Sequence, residues 1–233
     1  MRQIILDTET TGLETQQDHR IIEIGCVEMV DRRLTGNNFH QYLQPDRQID
    51  AGAIAVHGIT NEFLEDKPRF ADIVEDLISY LRGAELVIHN APFDVGFQNH
   101  ELKRLQQQKP LIEEISSVVD TLVMARKKHP GKRNSLDALC DRYAIDNSRR
   151  DKHGALLDAE ILSEVYLVMT GGQENLLLDG EDSDGADHNH RRDVVLEEEL
   201  LLMSVDKEDM QAHQAYLQKL QQQTDGHCVW LKS

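Results

Sequence analysis

Short apolar runs separated by polar punctuation fill the first 170 residues, and the period of each run predicts an element. Ile4-Ile5-Leu6, within Gln3 to Asp7, is a continuous apolar run of the kind that forms a strand buried on both faces. Ile21 to Val30 and Leu34 to Leu43 read as two further strands, joined by a tight Asp31-Arg32-Arg33 turn into a hairpin. A helix is predicted from about Phe70 to Leu81, followed by a strand at Leu86 to His89. Asn90 is then an N-cap candidate, and Pro92 falls in the first helical turn. Val118-Val119-Asp120 gives a short strand, and Leu122 to Lys128 and Ser135 to Tyr143 give helices. A last helix begins near His153 and runs through Met169, with Leu156, Leu157, Ile161, Leu162, Val165 and Tyr166 as its apolar stripe. Strands interleaved with helices predict an α/β fold with a mixed central sheet flanked by helices. The chain has no internal repeat.

Five polar residues sit where this pattern does not call for them. Asp7 and Glu9 follow the first strand in Leu-Asp-Thr-Glu-Thr-Thr-Gly, and alternation along a strand sends both to the same side. Two carboxylates that close repel each other unless a cation neutralises them. Thr10, Thr11 and Gly12 are expected to break the strand, with Gly12 admitting another backbone at close range. Asp94 in His-Asn-Ala-Pro-Phe-Asp lies in the first turn of a helix directly behind a strand, where the helix dipole alone also favours an acid. Asp158 lies beside an apolar stripe, where an acid is costly unless paired or bound to metal. His153 stands five residues earlier, about 7.5 Å along a helix axis, so it stays within reach of a site holding Asp158. Each residue alone has a bland alternative: a solvated strand end, a helix cap, a surface histidine. Together, four carboxylates and a histidine are what two hard divalent cations and a general base need to cut a phosphodiester.

With these residues in place, the chain resembles the DEDDh branch of the 3′→5′ exonucleases, and more closely the epsilon-type proofreading subunits of bacterial DNA polymerase III. The resemblance runs from Arg2 to about Gln173. It extends beyond the five residues to Ile21-Ile22-Glu23-Ile24-Gly25, the segment Arg33 to His40, Val56-His57-Gly58-Ile59, the segment Pro130 to Cys140, and Val165 to Gly172. It implies a ribonuclease-H-like exonuclease fold. It implies that Asp7, Glu9, Asp94 and Asp158 organise two Mg²⁺ or Mn²⁺ ions, with Asp7 bridging them, and that His153 is the general base. It also implies that Asp7, Glu9, Asp158, Val56 and His57 meet the substrate, a DNA 3′ end. From residues alone, Val56-His57 reads equally as a turn between strand and helix. One departure stands out: where the family often has Pro-Glu shortly before Val56-His57, this chain has Ala51-Gly52, which puts one substrate contact in doubt. A histidine base suits cellular pH, because its ordinary pKa is near 6.5. Cys26, Cys140 and Cys228 lie in no nucleophile motif, so no covalent intermediate is expected.

Composition changes the picture beyond the first 170 residues. The 233-residue chain carries a formal net charge of −17, unusual for a nucleic-acid enzyme. From Gly171 onward 14 acids face 5 bases, a net −9, which leaves −8 on the rest. Only local basic groups occur (Arg126-Lys127-Lys128, Lys132-Arg133, Arg149-Arg150 with Lys152), and each usually marks a solvated face. Weak intrinsic hold on DNA is expected. Residues 1–172 are therefore read as the catalytic domain and the remainder as a flexible C-terminal tail. Gln173 to Leu178 resembles a sliding-clamp-binding peptide, or else frays as a helix end. Residues 179–193 read as a flexible acidic linker in which His188 and His190 are incidental. Residues 194–233, through Val194 to Met203, Met210 to Leu220 and Cys228 to Leu231, are apolar enough to order on a partner, which the resemblance makes the polymerase alpha subunit. A small theta-like third subunit stays open. Three scattered cysteines and no membrane span or signal peptide predict a cytoplasmic protein. The rival readings are an RNase-T-like or oligoribonuclease-like RNA 3′ exonuclease and a non-catalytic assembly subunit of the replisome.

Overall fold

The computed structural model describes residues 1–105, 109–148, 152–171 and 206–223, and the chain divides into two units, Met1–Leu178 and Asp179–Ser233. Among the described residues of the first unit, six strands make one sheet: β1 (Arg2–Thr10), β2 (Ile21–Val30), β3 (Arg33–Leu34), β4 (Phe39–Tyr42), β5 (Glu85–Ile88) and β6 (Ser117–Asp120). Their order is β3-β2-β1-β5-β6, with β4 also paired to β2. β1 runs antiparallel to β2 and parallel to β5, which is parallel to β6, so the sheet is mixed as the sequence predicts.

Along β1 the two faces enter different cores. Ile4 and Leu6 join the cluster formed with helices α3 (Phe70–Leu81) and α4 (Ala91–Arg104), whereas Ile5 joins the cluster under helix α8 (Ala155–Gly171). α3 occupies its predicted span and buries Phe70, Ile73, Val74, Leu77, Ile78 and Leu81. At roughly 1.5–3 kcal/mol per buried side chain, that face outweighs any local propensity term. Helices α6 (Thr121–Lys128) and α7 (Leu136–Tyr143) cover the far side of α8. α8 therefore has two apolar sides rather than the single stripe expected: Ala159, Leu162 and Tyr166 face the sheet, and Ile161, Val165 and Met169 face away from it. It starts at Ala155, two residues after His153.

Three local expectations are corrected. The hairpin turn is two residues long, Asp31 and Arg32, both left-handed at φ 48° and 64°, with Arg33 already paired to Val30. That geometry matches the twist of the flanking strands. The strand expected over Leu34 to Leu43 is split into β3 and β4. Gly36 turns left-handed (φ 79°), and Thr35 folds back on Glu28, its amide 3.1 Å from the carbonyl and its hydroxyl 2.7 Å from the carboxylate. Finally, β1 does not break at Thr10. It stays paired as far as Thr10↔Ile21, across a bulge that leaves Ile22 between the partners of Glu9 and Thr10. Short helices at Ala51–His57 (α1), Asn61–Leu64 (α2) and Ile112–Ile115 (α5) were not predicted.

In the second unit the described segment is helix α9 (Lys207–Gln223), capped by the Asp206 carboxylate, which accepts from the amides of Glu208 and Asp209 at 2.9 Å. It has no buried residue, and Met210 and Tyr216 are exposed. The segments 173–178, 179–193 with His188 and His190, 194–203 and 228–231 lie outside the described residues.

Candidate active site

All five singled-out residues line one cleft of about 430 Å³ at the carboxyl end of β1. The sheet explains why they meet there. β1 pairs with β5 from Gln3↔Glu85 to Ile5↔Val87, and β5 ends at Ile88 while β1 continues to Thr10. The last turn of β1 therefore projects past its neighbour, at the end of parallel strands where open α/β sheets bind ligands. Asp7 and Glu9 share the face of Ile5 and look toward α8. Asp158 comes from the first turn of α8, with its amide bonded to the Gly154 carbonyl at 2.8 Å. His153 is held just before that helix, where its amide donates to the Val56 carbonyl at 3.3 Å. Its Nδ1 lies 3.3 Å from Asp158 Oδ2. Asp94 arrives from the opposite layer, in the first turn of α4. Thr8, on that face of β1, donates its hydroxyl to Asp94 Oδ1 at 2.7 Å.

Burial sets the electrostatics. Asp94 and Asp158 are each 3% exposed and Glu9 is 9% exposed, whereas His153 is exposed. Burial pushes the Asp94 carboxyl up to about 7, against the opposing pull of the Thr8 hydroxyl. A carboxyl so placed is more readily charged beside a cation. One ligand atom each of Glu9, His153 and Asp158 lies within 4.8 Å of the others, and the donor set is mostly carboxylate oxygen. Buried acids converging in one cleft suit a hard divalent cation. A cysteine nucleophile has no support here: Cys26 is buried and its thiol is pushed up by that burial.

Val56 and His57 are the last residues of helix α1, not a turn between strand and helix. Gly58 ends that helix at φ 76°. The exposed Val56 and Leu13 and the half-buried Phe93 rim a second pocket of about 540 Å³ that shares Thr8, Glu9, Leu13 and Phe93 with the cleft. His57 is buried, accepts from the Ile59 amide at 3.0 Å, and is kept below its ordinary 6.5 chiefly by burial. Ala51 and Gly52 form the first turn of α1, and Gly52 lines the same pocket.

Several contributors carried no sequence assignment. Thr8, His89, Phe93 and Asp137 all line the cleft, as does the N-cap candidate Asn90. Asn90 occupies the expected N-cap position of α4 but is left-handed (φ 69°) and makes no side-chain cap. Gly12 faces a side chain rather than a backbone, since a Cβ there would stand 2.2 Å from the His19 ring. Gly25, paired to Asp7 across β1 and β2, touches backbone: its Cβ would lie 2.2 Å from the Ala155 carbonyl carbon and the Leu156 amide nitrogen. The absence of a side chain at Gly25 is what lets the start of α8 settle against the sheet and brings Asp158 to Asp7.

Comparison with known proteins bears on this arrangement. A family model described as Exonuclease (RNase_T) matches residues 4–166. The chain is 52% identical over 236 residues to the DNA polymerase III subunit epsilon of Escherichia coli K12, covering 98% of this chain and 97% of that one. It is 51% identical over 238 residues to that of Pasteurella multocida Pm70, covering 99% and 94%. Among solved structures, Exonuclease X in complex with 5′ overhanging duplex DNA superposes with a TM-score of 0.53 at 28% identity, over 72% of this chain and 91% of that one. The nuclease domain of 3′hExo, a DEDDh family member bound to rAMP, superposes with a TM-score of 0.63 at 19% identity, over 73% and 92%, a likeness of fold.

Proposed function

This chain belongs to the exonuclease family, among the DNA polymerase III epsilon subunits, and from that premise we infer how its own residues perform the reaction and hold its partners. It is a 3′→5′ exonuclease that proofreads within a polymerase complex, hydrolysing the phosphodiester of a mismatched 3′-terminal nucleotide. The single observation that carries the mechanistic reading is the convergence of Asp7, Glu9, Asp94, His153 and Asp158 on one cleft from three separate segments and both layers of the fold.

In this reading Asp7, Glu9, Asp94 and Asp158 are the residues that would hold two Mg²⁺ or Mn²⁺ ions. Ions held there would supply Lewis-acid chemistry, lowering the pKa of an attacking water and offsetting charge on the leaving 3′ oxygen. His153 takes the proton from that water. Its place ahead of α8 is fixed by the Val56 carbonyl, and Asp158 orients its ring through Nδ1. Thr8 orients Asp94 and supports its charged form. Leu13, Val56 and Phe93 give the terminal nucleoside an apolar seat beside Glu9, with His57 stiffening the end of α1 beneath it. Gly52 leaves that rim without the acid common at this point in the family, so substrate hold there depends on the apolar seat.

DNA and a polymerase complex are the partners of the class. The finer assignments are ours: the alpha subunit through residues 194–233, in which Met210, Tyr216 and Leu220 lie along α9; the sliding clamp through Gln173 to Leu178; and a linker between them. Among the described residues no helix is long and apolar enough to cross a membrane, and we place the protein in the cytoplasm. The test is degradation of a single-stranded oligonucleotide from its 3′ end, with and without Mg²⁺, by the full chain and by Asp7→Ala. The unaltered chain is expected to need the ion. The variant should lose activity while keeping its far-ultraviolet circular dichroism, since it sheds a repulsive charge and no core contact. Near-normal rates for Asp7→Ala in Mg²⁺ would overturn the site assignment.

A further inference from the structure

A basic groove of about 690 Å³ adjoins the catalytic cleft on the side away from the nucleoside pocket, lined by Arg126, Lys132 and Asn134 among others. It shares His89, Asn90 and Ser135 with the cleft, whereas the nucleoside pocket shares Thr8, Glu9, Leu13 and Phe93. The carboxylates thus stand between an apolar seat and a cationic one. The cations are notable in a chain of net charge −17. Both are exposed, and neither makes an ion pair with the described residues. Their neighbours are committed elsewhere: Lys128 donates to the Met169 carbonyl at 2.6 Å, and Arg142 to Asn134 Oδ1 and the Arg133 carbonyl at 3.2 and 2.7 Å.

The groove wall is built rather than loose. Asn134 is buried and its amide nitrogen donates to the Lys132 carbonyl at 3.0 Å, while Arg142 braces it from α7. Gly131, left-handed at φ 70°, turns the chain where Lys132 and Arg126 line the same groove. Where the groove meets the cleft, His89 Nδ1 lies 2.9 Å from the Thr121 hydroxyl, and burial keeps the ring below its ordinary 6.5, so it narrows the junction as a neutral group.

We propose that Arg126 and Lys132 bind the phosphate next upstream of the scissile one, so that the retained strand enters over the loop between α6 and α7 while its 3′-terminal nucleoside ends against Leu13, Val56 and Phe93. This rests on the exonuclease reading above. The groove and the nucleoside pocket adjoin the catalytic cleft through different residues, and two uncommitted cations attract a phosphate where the protein as a whole repels DNA.

A dinucleoside monophosphate has only the scissile phosphate, whereas a trinucleotide adds the next one upstream. The test measures kcat/KM for both substrates in Mg²⁺ with the full chain, Arg126→Gln, Lys132→Gln, the double variant, and Lys127→Gln as a cation outside the groove. The unaltered chain should prefer the trinucleotide several-fold, mainly through KM. The double variant should bring that ratio close to one and flatten the salt dependence on longer strands by about 0.7 in log–log slope per contact removed. Lys132→Arg should restore the preference relative to Lys132→Gln, and Lys127→Gln should keep it. A ratio near one in the unaltered chain, a ratio unchanged in the double variant, or an equal fall with Lys127→Gln would each overturn the proposal. An unaltered chain that cleaves neither substrate would sink the exonuclease reading itself, and this proposal with it.

Discussion

Thr8 lies between two acids on β1, yet its hydroxyl serves neither of them. It crosses to Asp94 and ties the α4 layer to the strand that carries Asp7 and Glu9. His153 is placed by its amide on the Val56 carbonyl and by Asp158 beside its Nδ1. As the proposed base, it should lose on the order of 10²–10⁴-fold in rate when replaced by alanine, with Mn²⁺ affinity by calorimetry largely unchanged. A variant that instead loses the metal would make the histidine a ligand, which its closeness to Glu9 and Asp158 keeps in view. Away from the cleft, Glu28 is held below its ordinary 4.5 by the Thr35 hydroxyl first, then by Arg2 and Asn37, with burial opposing. A depressed carboxyl contributes stability above its unfolded pKa and loses it as pH falls through the folded value. Glu28→Gln should therefore be less stable than the parent near neutral pH, and the gap should close below about pH 4.5, as read by urea unfolding across pH. A gap that persists at low pH would mean that packing rather than charge was lost. Asp7, Asp94 and Asp158 were legible because each is an acid at the end of, or beside, an apolar run, and Glu9 and His153 because they stand within a few residues of those acids. Thr8 and His89 were not, because their contacts are made by residues 86 and 32 positions away.

Among the elements, β2 and α3 were legible to the residue, since a left-handed turn closes one and a solid apolar face defines the other. α1 was not. Gly52 and Val56 are weak helix formers, and its useful signal was Gly58, a glycine just past a helix end. The contact between β2 and α8 was equally hidden, because it shows in sequence only as a glycine inside a strand. Strand glycine ordinarily weakens a sheet, so by propensity Gly25→Ala should stabilise. The structure predicts the reverse. A Cβ at 2.2 Å from backbone atoms of Ala155 and Leu156 has no flexible side chain to push aside, so the first turn of α8 must move. Overpacking of this kind costs about 1–3 kcal/mol, and displacement of Asp158 should lower exonuclease rate out of proportion to that loss. Thermal unfolding and turnover measured on the same preparation check both. An alanine variant as stable and active as the parent would mean that the helix start does not bear on the site.

For the whole molecule, chemistry and assembly should separate along the chain. A protein ending near Gly172 retains every strand of the described sheet and all five cleft residues, and should fold and trim single-stranded DNA at the parental rate. It should lose stable association with the polymerase in gel filtration, because α9 with its exposed Met210 and Tyr216 lies beyond that point. Polymerase binding undiminished by the truncation would mean that the catalytic domain itself carries the docking surface.

The projecting end of β1 has one more consequence. Asp7 and Glu9 face one hydrophobic cluster and Thr8, with Asp94, faces the other, so the distance across the carboxylates measures how well two independently packed layers line up. The strand behaves as the bar of a caliper. A slip on the order of 1 Å between the jaws leaves both cores intact and costs about 10²-fold in rate. Turnover is accordingly a finer gauge of this fold than its melting temperature, and substitutions that loosen either layer register as lost proofreading well before they register as lost protein.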